Sequence, residues 1–142
     1  MIFQLIEALM VTLIVLIVVA VLMFLIGVFV TKWYAGRKGW DETFKTALIV
    51  NLVWFVLGII ISLIFSFAMP GLQSWIIDII ELIINIIIGA IVVMKIYNKE
   101  FGESLLFVIV IQIILFIIAI ILGFILGFII AMIILGSFTL GF

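Results

Sequence analysis

Ser74, Asp78, Glu81, Asn85 and Gly89 follow one another at intervals of four, three, four and four residues in a stretch otherwise made of Ile, Leu and Trp. That spacing keeps to one face of an α-helix. Counting from Lys95 at 1.5 Å per residue, about twenty residues cross a hydrocarbon layer about 30 Å thick and end near Trp75. Asp78 and Glu81 then lie in the half remote from Lys95, and Asn85 lies near the middle. A carboxylate in hydrocarbon costs about 3 kcal/mol on insertion scales. No Lys or Arg lies on that half, so the two acids must take up protons, hold cations or meet a partner chain. Glu7, with Gln4 beside it, starts from the same side at headgroup depth. With Asp78 and Glu81 it would form an acidic mouth that concentrates cations, and a dehydrated carboxylate is suited to proton exchange. The plainer reading leaves Asp78 and Glu81 hydrated near the interface and Glu7 in water.

Small residues form a second pattern. Ala119, Gly123, Gly127 and Ala131 recur at every fourth position, and Gly58, Ser62 and Ser66 repeat the spacing more weakly upstream. Such ridges let another backbone approach, so both read as packing interfaces, between the halves of the chain or between subunits. Asn51 and Gln112 lie seven residues before Gly58 and Ala119, on the same helical faces, about 10 Å inside the membrane boundary. Their amides are expected to bond across helices.

Other chemistry is excluded by what the chain lacks. It has no Cys and no His, which removes disulfides, thiolate or imidazole metal sites and His-based nucleophilic catalysis. A carboxylate pair on a single helix is not the facing arrangement of an intramembrane aspartyl protease, and no GxGD stretch occurs. Nor is there a phosphate-cradling glycine loop or a basic patch suited to nucleic acid. No enzymatic activity, resident metal or cofactor is expected.

The elements that position these residues follow from composition. With 71% hydrophobic and 9% charged residues over 142 positions, the chain cannot coat a soluble domain, and its solvent must be lipid. Four apolar runs are expected to be transmembrane helices, at about 5–31, 44–68, 72–95 and 104–135. Lys32-Trp33-Tyr34 closes the first, Asp41 is the expected N-cap of the second, Met69-Pro70-Gly71 breaks the chain after it, and Lys95-Ile96-Tyr97 closes the third. Met1 to Glu7 has no basic segment and no cleavage site follows, so the first helix is expected to stay.

All six basic residues, Lys32, Arg37, Lys38, Lys45, Lys95 and Lys99, fall in or beside the first and third loops. By the positive-inside rule, loops 32–43 and 95–103 are cytoplasmic and both termini lie outside a multi-pass protein of the cell membrane. The two hairpins also resemble each other. Lys32-Trp33-Tyr34 returns as Lys95-Ile96-Tyr97, and a shift of 61 positions sets Asn51 on Gln112, Phe55 on Phe116 and Gly58 on Ala119. The expected fold is therefore all-α: one membrane domain over 1–142, a four-helix bundle of two parallel-duplicated hairpins (about 5–68 and 72–135) with a pseudo-twofold along the membrane normal.

The function expected from these features is a cation-handling channel or transporter, acting as an oligomer, with Asp78 and Glu81 as its carboxylates and Asn85 extending the path. Its partners would be the lipid bilayer, copies of itself or another membrane subunit, and monovalent or divalent cations, with no nucleic acid. Small multidrug transporters are a precedent for four helices with a membrane carboxylate, but the chain does not align with them and its acids lie on the third helix. The rival expectation is a non-catalytic structural or assembly subunit whose polar stripe docks another chain.

Overall fold

The computed structural model describes residues 1–71 and 73–140, with side chains described as far as Gly136. Four helices account for almost all of them: α1 (Ile2–Arg37), α2 (Phe44–Ala68), α3 (Ser74–Tyr97) and α4 (Phe101–Leu140). Each is long and apolar enough to cross a membrane. Two are longer than the sequence predicts, because no residue in lipid can satisfy a broken backbone and the helices therefore continue until loop chemistry stops them. At 36 and 40 residues, α1 and α4 are about 54 and 60 Å long, against about 37 Å for α2 and α3. Even at a tilt of about 40° a layer about 30 Å thick takes up only about 39 Å of helix, so α1 and α4 are long enough to extend past the hydrocarbon.

The stops at the basic end share one device. After α1, the Trp40 N–H reaches the Ala35 carbonyl (2.9 Å) and the Gly39 N–H that of Gly36 (3.1 Å), with Gly39 at φ +73°. After α3, Asn98 takes the left-handed position (φ 57°) and the Lys99 N–H reaches Met94 (3.1 Å). Both are left-handed C-terminal turns that satisfy carbonyls the helix leaves open. At the start of α2 the expectation needs correcting, since Thr43 rather than Asp41 occupies the N-cap position. Asp41 instead holds the turn, accepting from the Thr43 N–H (2.9 Å) and the Thr46 hydroxyl (2.6 Å). Those bonds, Thr46's foremost, hold its carboxyl below the usual carboxylate range.

Each helix packs on its chain neighbours, and α4 closes the ring onto α1, while the diagonal pairs do not approach. Short loops make consecutive helices antiparallel. All buried residues among those described fall between Gly27 and Trp54 or between Gly89 and Ile111, so the core sits at the end that carries the basic loops. Small residues explain the location: Ala35, Ala47 and Ala90 are fully buried and let the helices close around Phe107, Val93 and Val50. An aromatic cap finishes this end. Trp40 stacks on Phe107 (centroids 4.7 Å apart), Tyr34 and Tyr97 pack beside them, and the Lys38 and Lys99 ammonium groups each sit 5.4 Å from the Trp40 ring. Toward the other end, side chains are exposed throughout Met1 to Val18 of α1 and Gly123 to Leu135 of α4.

Candidate functional site

Between this closed core and the exposed far ends of α1 and α4 lies a cavity of about 710 Å³, to which all four helices contribute. Its lining on α2 runs from Asn51 to Leu63, about 18 Å along the helix. The walls are apolar and aromatic: Met23 and Phe24 from α1, Phe55 and Ile59 from α2, Leu115 and Phe116 from α4. Phe24 meets Phe55 edge to face at 5.9 Å. Set into these walls are three amides from three helices, Asn51, Asn85 and Gln112, with the Trp54 indole among them.

The orientation of Asn51 follows from its neighbours. Its amide nitrogen donates to the Ala47 carbonyl (2.8 Å) and to the Thr31 hydroxyl (3.0 Å), whose own hydrogen is given to the Gly27 carbonyl (2.7 Å). Both neighbours can only accept, so the nitrogen must point at them and the amide oxygen is left for the cavity side. Gly27 is what permits this, since a Cβ there would lie 3.1 Å from that oxygen. One turn further along α2 the Trp54 indole N–H reaches across to α3 and donates to both the side-chain and main-chain oxygens of Asn85. The Asn85 amide nitrogen is thereby left over, beside Gly58. Gly89 makes room for the indole: a Cβ there would fall 2.7 Å from the ring. Gln112 lines the same cavity half-buried and makes no hydrogen bond to the described residues. The cavity thus offers amide oxygens and N–H groups among otherwise apolar walls, where unmet polar groups are costly.

The helix-three stripe turns progressively inward along its length. Ser74 and Asp78 are exposed, Glu81 and Asn85 are half-buried, and Gly89 is buried. Glu81 does not itself line the cavity, but the hydroxyl of Ser62, which does, donates to its carboxylate at 3.4 Å. Asp78 and Glu7 do not line the cavity, and no group of three acids able to hold a metal ion exists among the described residues. The sequence names Asp78, Glu81, Asn85 and Glu7 as cation-binding or pathway residues and Asn51 and Gln112 as interhelical amides; of these six the cavity lining gathers Asn85, Asn51 and Gln112.

The two small-residue ridges separate. Gly58 and Ser62 face α3, opposite Asn85 and Glu81, while the Ser66 hydroxyl turns back to the Ser62 carbonyl (2.9 Å). Ala119, Gly123, Gly127 and Ala131 face away from the bundle, and a Cβ added at Gly123 or Gly127 meets nothing within 4 Å. Among the described residues, nothing of this chain packs against the α4 ridge at Gly123 or Gly127. Trp54 and Thr31 are the site residues that sequence reasoning misses. Their signals are a tryptophan three residues after Asn51 on the same helical face and a hydroxyl four residues after Gly27. No protein-family model matches this chain, and no curated protein or solved structure matches it either.

Proposed function

We propose that the chain is a small cation-handling membrane carrier that works as an oligomer, loading its cargo in the amide-lined cavity past Glu81. The observation that carries this reading is the cavity itself, blind at the basic end and floored at mid-depth by Asn51, Asn85 and Gln112. A pocket that ends at Val28, Val50, Val93 and Ile111 suits alternating access better than a continuous pore through one chain. Glu81 supplies the one carboxylate hydrogen-bonded to a residue of its wall among the described residues. Amide oxygens and a carboxylate favour cations over anions, and the reading is non-enzymatic.

The topology proposed with it places the basic loops in the cytoplasm and both termini outside. The proposed duplication is supported by burial: Gly27, Val28, Thr31 and Ala35 of α1 recur at one fixed interval as Gly89, Ala90, Val93 and Tyr97 of α3. Ala47, Val50, Asn51 and Trp54 of α2 likewise share their spacing with Ser104, Phe107, Val108 and Ile111 of α4, in a register about one helical turn shorter than the shift read from the sequence. A second reading, an assembly subunit of a larger membrane complex, is favoured by the exposed ridge on α4, which offers a face for another helix.

Cation and proton flux in proteoliposomes tests the proposal. Glu81→Gln should reduce flux about tenfold, the factor carried by one charge-assisted contact. Asp78→Asn, which alters an exposed residue off the cavity, should leave most of it. No flux through the wild type, or equal flux through Glu81→Gln and the wild type, contradicts the carrier reading.

A further inference from the structure

A second depression lies at the basic end, on the outside of the bundle and sharing no residue with the cavity. It has a volume of about 570 Å³ and is lined by Phe29, Lys32, Trp33, Gly36, Arg37 and Glu42. From Phe29 to Arg37 is about 12 Å along α1, and the basic-aromatic group Lys32-Trp33-Tyr34, of the kind that sits at lipid headgroups, lies within that stretch. The groove therefore runs from the edge of the hydrocarbon into the headgroup layer, which is about 5–8 Å thick on each side.

Its charges are of both signs and do not cancel one another. Lys32 and Arg37 supply two cations and Glu42 one carboxylate, yet none of the three forms an ion pair among the described residues. The Arg37 guanidinium lies over the Trp33 ring, 5.1 Å from its centroid, and its N–H groups make no hydrogen bond or ion pair among the described residues, so the planar fork is available to a ligand. Glu42 is laid down on α1 at Gly36, where a Cβ would stand 2.6 Å from its carboxylate oxygen. Gly36 lies one turn beyond Lys32 and next to Arg37 in the chain, so the acid is held among the two bases. Below them, Phe29 and Phe44 pack at 5.7 Å and form an apolar foot.

We infer that this groove is a binding site for a phospholipid whose headgroup carries both a phosphate and a primary ammonium, of the phosphatidylethanolamine type. The phosphate sits between Lys32 and the Arg37 fork, which matches it as a bidentate donor. The ammonium donates to the Glu42 carboxylate, and the first acyl carbons lie on Phe29. A choline headgroup fits less well, because a quaternary nitrogen has no N–H for Glu42, and the aromatic face that would otherwise cradle it is taken by Arg37. A glycerol headgroup carries the phosphate charge alone and leaves Glu42 facing it unpaired. The site stands independently of the carrier reading, since it rests on other residues.

The test is native mass spectrometry of the full chain released from nanodiscs containing equal parts of phosphatidylethanolamine, phosphatidylcholine and phosphatidylglycerol, reading which lipid stays bound. The wild type should retain the ethanolamine lipid about fivefold over either of the others, the factor one exposed charged contact supplies. Glu42→Gln should abolish that preference and leave phosphate binding in place, whereas Arg37→Gln should lower retention of all three. Gly36→Ala keeps every charge and only displaces the Glu42 carboxylate, so it should lose the preference as Glu42→Gln does. Equal retention of the three lipids by the wild type, a preference for the glycerol lipid, or a preference that survives both Glu42→Gln and Gly36→Ala overturns the inference.

Discussion

Replacing Gly89 by alanine adds one methyl group to a membrane helix, and in most of this chain that change would be harmless. At Gly89 the new Cβ would fall 2.7, 2.8 and 3.1 Å from three atoms of the Trp54 ring. The ring has little freedom to give way, being 7% exposed and tied by its N–H to both oxygens of Asn85. Overpacking of this kind costs about 2 kcal/mol. A ring that swings aside also gives up its bonds to Asn85, worth about 1 kcal/mol inside a membrane. The better helix propensity of alanine returns about 1 kcal/mol, which leaves a net loss of about 2 kcal/mol. Gly102→Ala is the control, because a Cβ there meets nothing within 4 Å and the propensity gain stands alone. The assay is reversible unfolding of purified protein in mixed micelles, extended to a double-mutant cycle with Trp54→Phe. In the Trp54→Phe background the smaller ring should absorb the methyl group, giving a coupling of about 1 kcal/mol or more. If Gly89→Ala is as stable as Gly102→Ala, or if the cycle shows no coupling, the close approach of α2 and α3 at the cavity floor is wrong.

Four further outcomes are expected. Asn51→Leu keeps the volume but removes the donor that serves Thr31 and Ala47, and should cost about 1 kcal/mol in the same unfolding assay while also lowering cation flux. Tyr97, whose buried hydroxyl has no hydrogen-bond partner among the described residues, has its pKa pushed up to about 12 by burial first and by the charge of Asp41 second. Because the folded state then holds this proton more tightly than the unfolded chain, its contribution to stability is full below pH 10 and is lost as pH rises through about 12; ultraviolet titration of tyrosinate in wild type and Tyr97→Phe checks this. Gly123→Leu should leave the isolated chain as stable as before, since nothing packs there, but should dissociate oligomers joined through that ridge, as cross-linking in membranes would read. Single cysteines introduced into this cysteine-free chain should be labelled from outside at Met1 and only from inside at Arg37.

Much of the architecture is legible in the sequence because lipid leaves so few choices. Runs of apolar residues must be helices, and the basic loops and Pro70 mark where they end. The helix ends shift because the stops are set by turn chemistry at Gly39 and Asn98, which composition does not weigh. The site is legible only in pieces. Asn51, Asn85 and Gln112 stand out individually as polar residues in apolar runs, but that they share one cavity depends on how four helices close into a ring. Periodicity fixes the face of one helix and is silent about its neighbour. The same blindness explains the α4 ridge, whose spacing reads as packing although none of the described residues packs against it at Gly123 or Gly127. Gly89 reads as the end of the polar stripe, and its role as the slot for Trp54 emerges only when the two helices meet. Counting sets Glu7, Asp78 and Glu81 toward the same end of the bundle, but whether they reach the cavity depends on how the ring closes, and none of the three lines it.

The most direct test of the central claim, that cations pass through the amide-lined cavity, is to block it chemically. Ser62 lines the cavity beside Glu81, whereas Ser74 is exposed on α3 away from it. Flux in proteoliposomes would be measured for Ser62→Cys and Ser74→Cys before and after complete modification with a bulky cationic thiol reagent. Passage through the cavity predicts that modification at position 62 abolishes flux, that transported cations slow the modification, and that position 74 is indifferent. Undiminished flux with position 62 fully modified would contradict it.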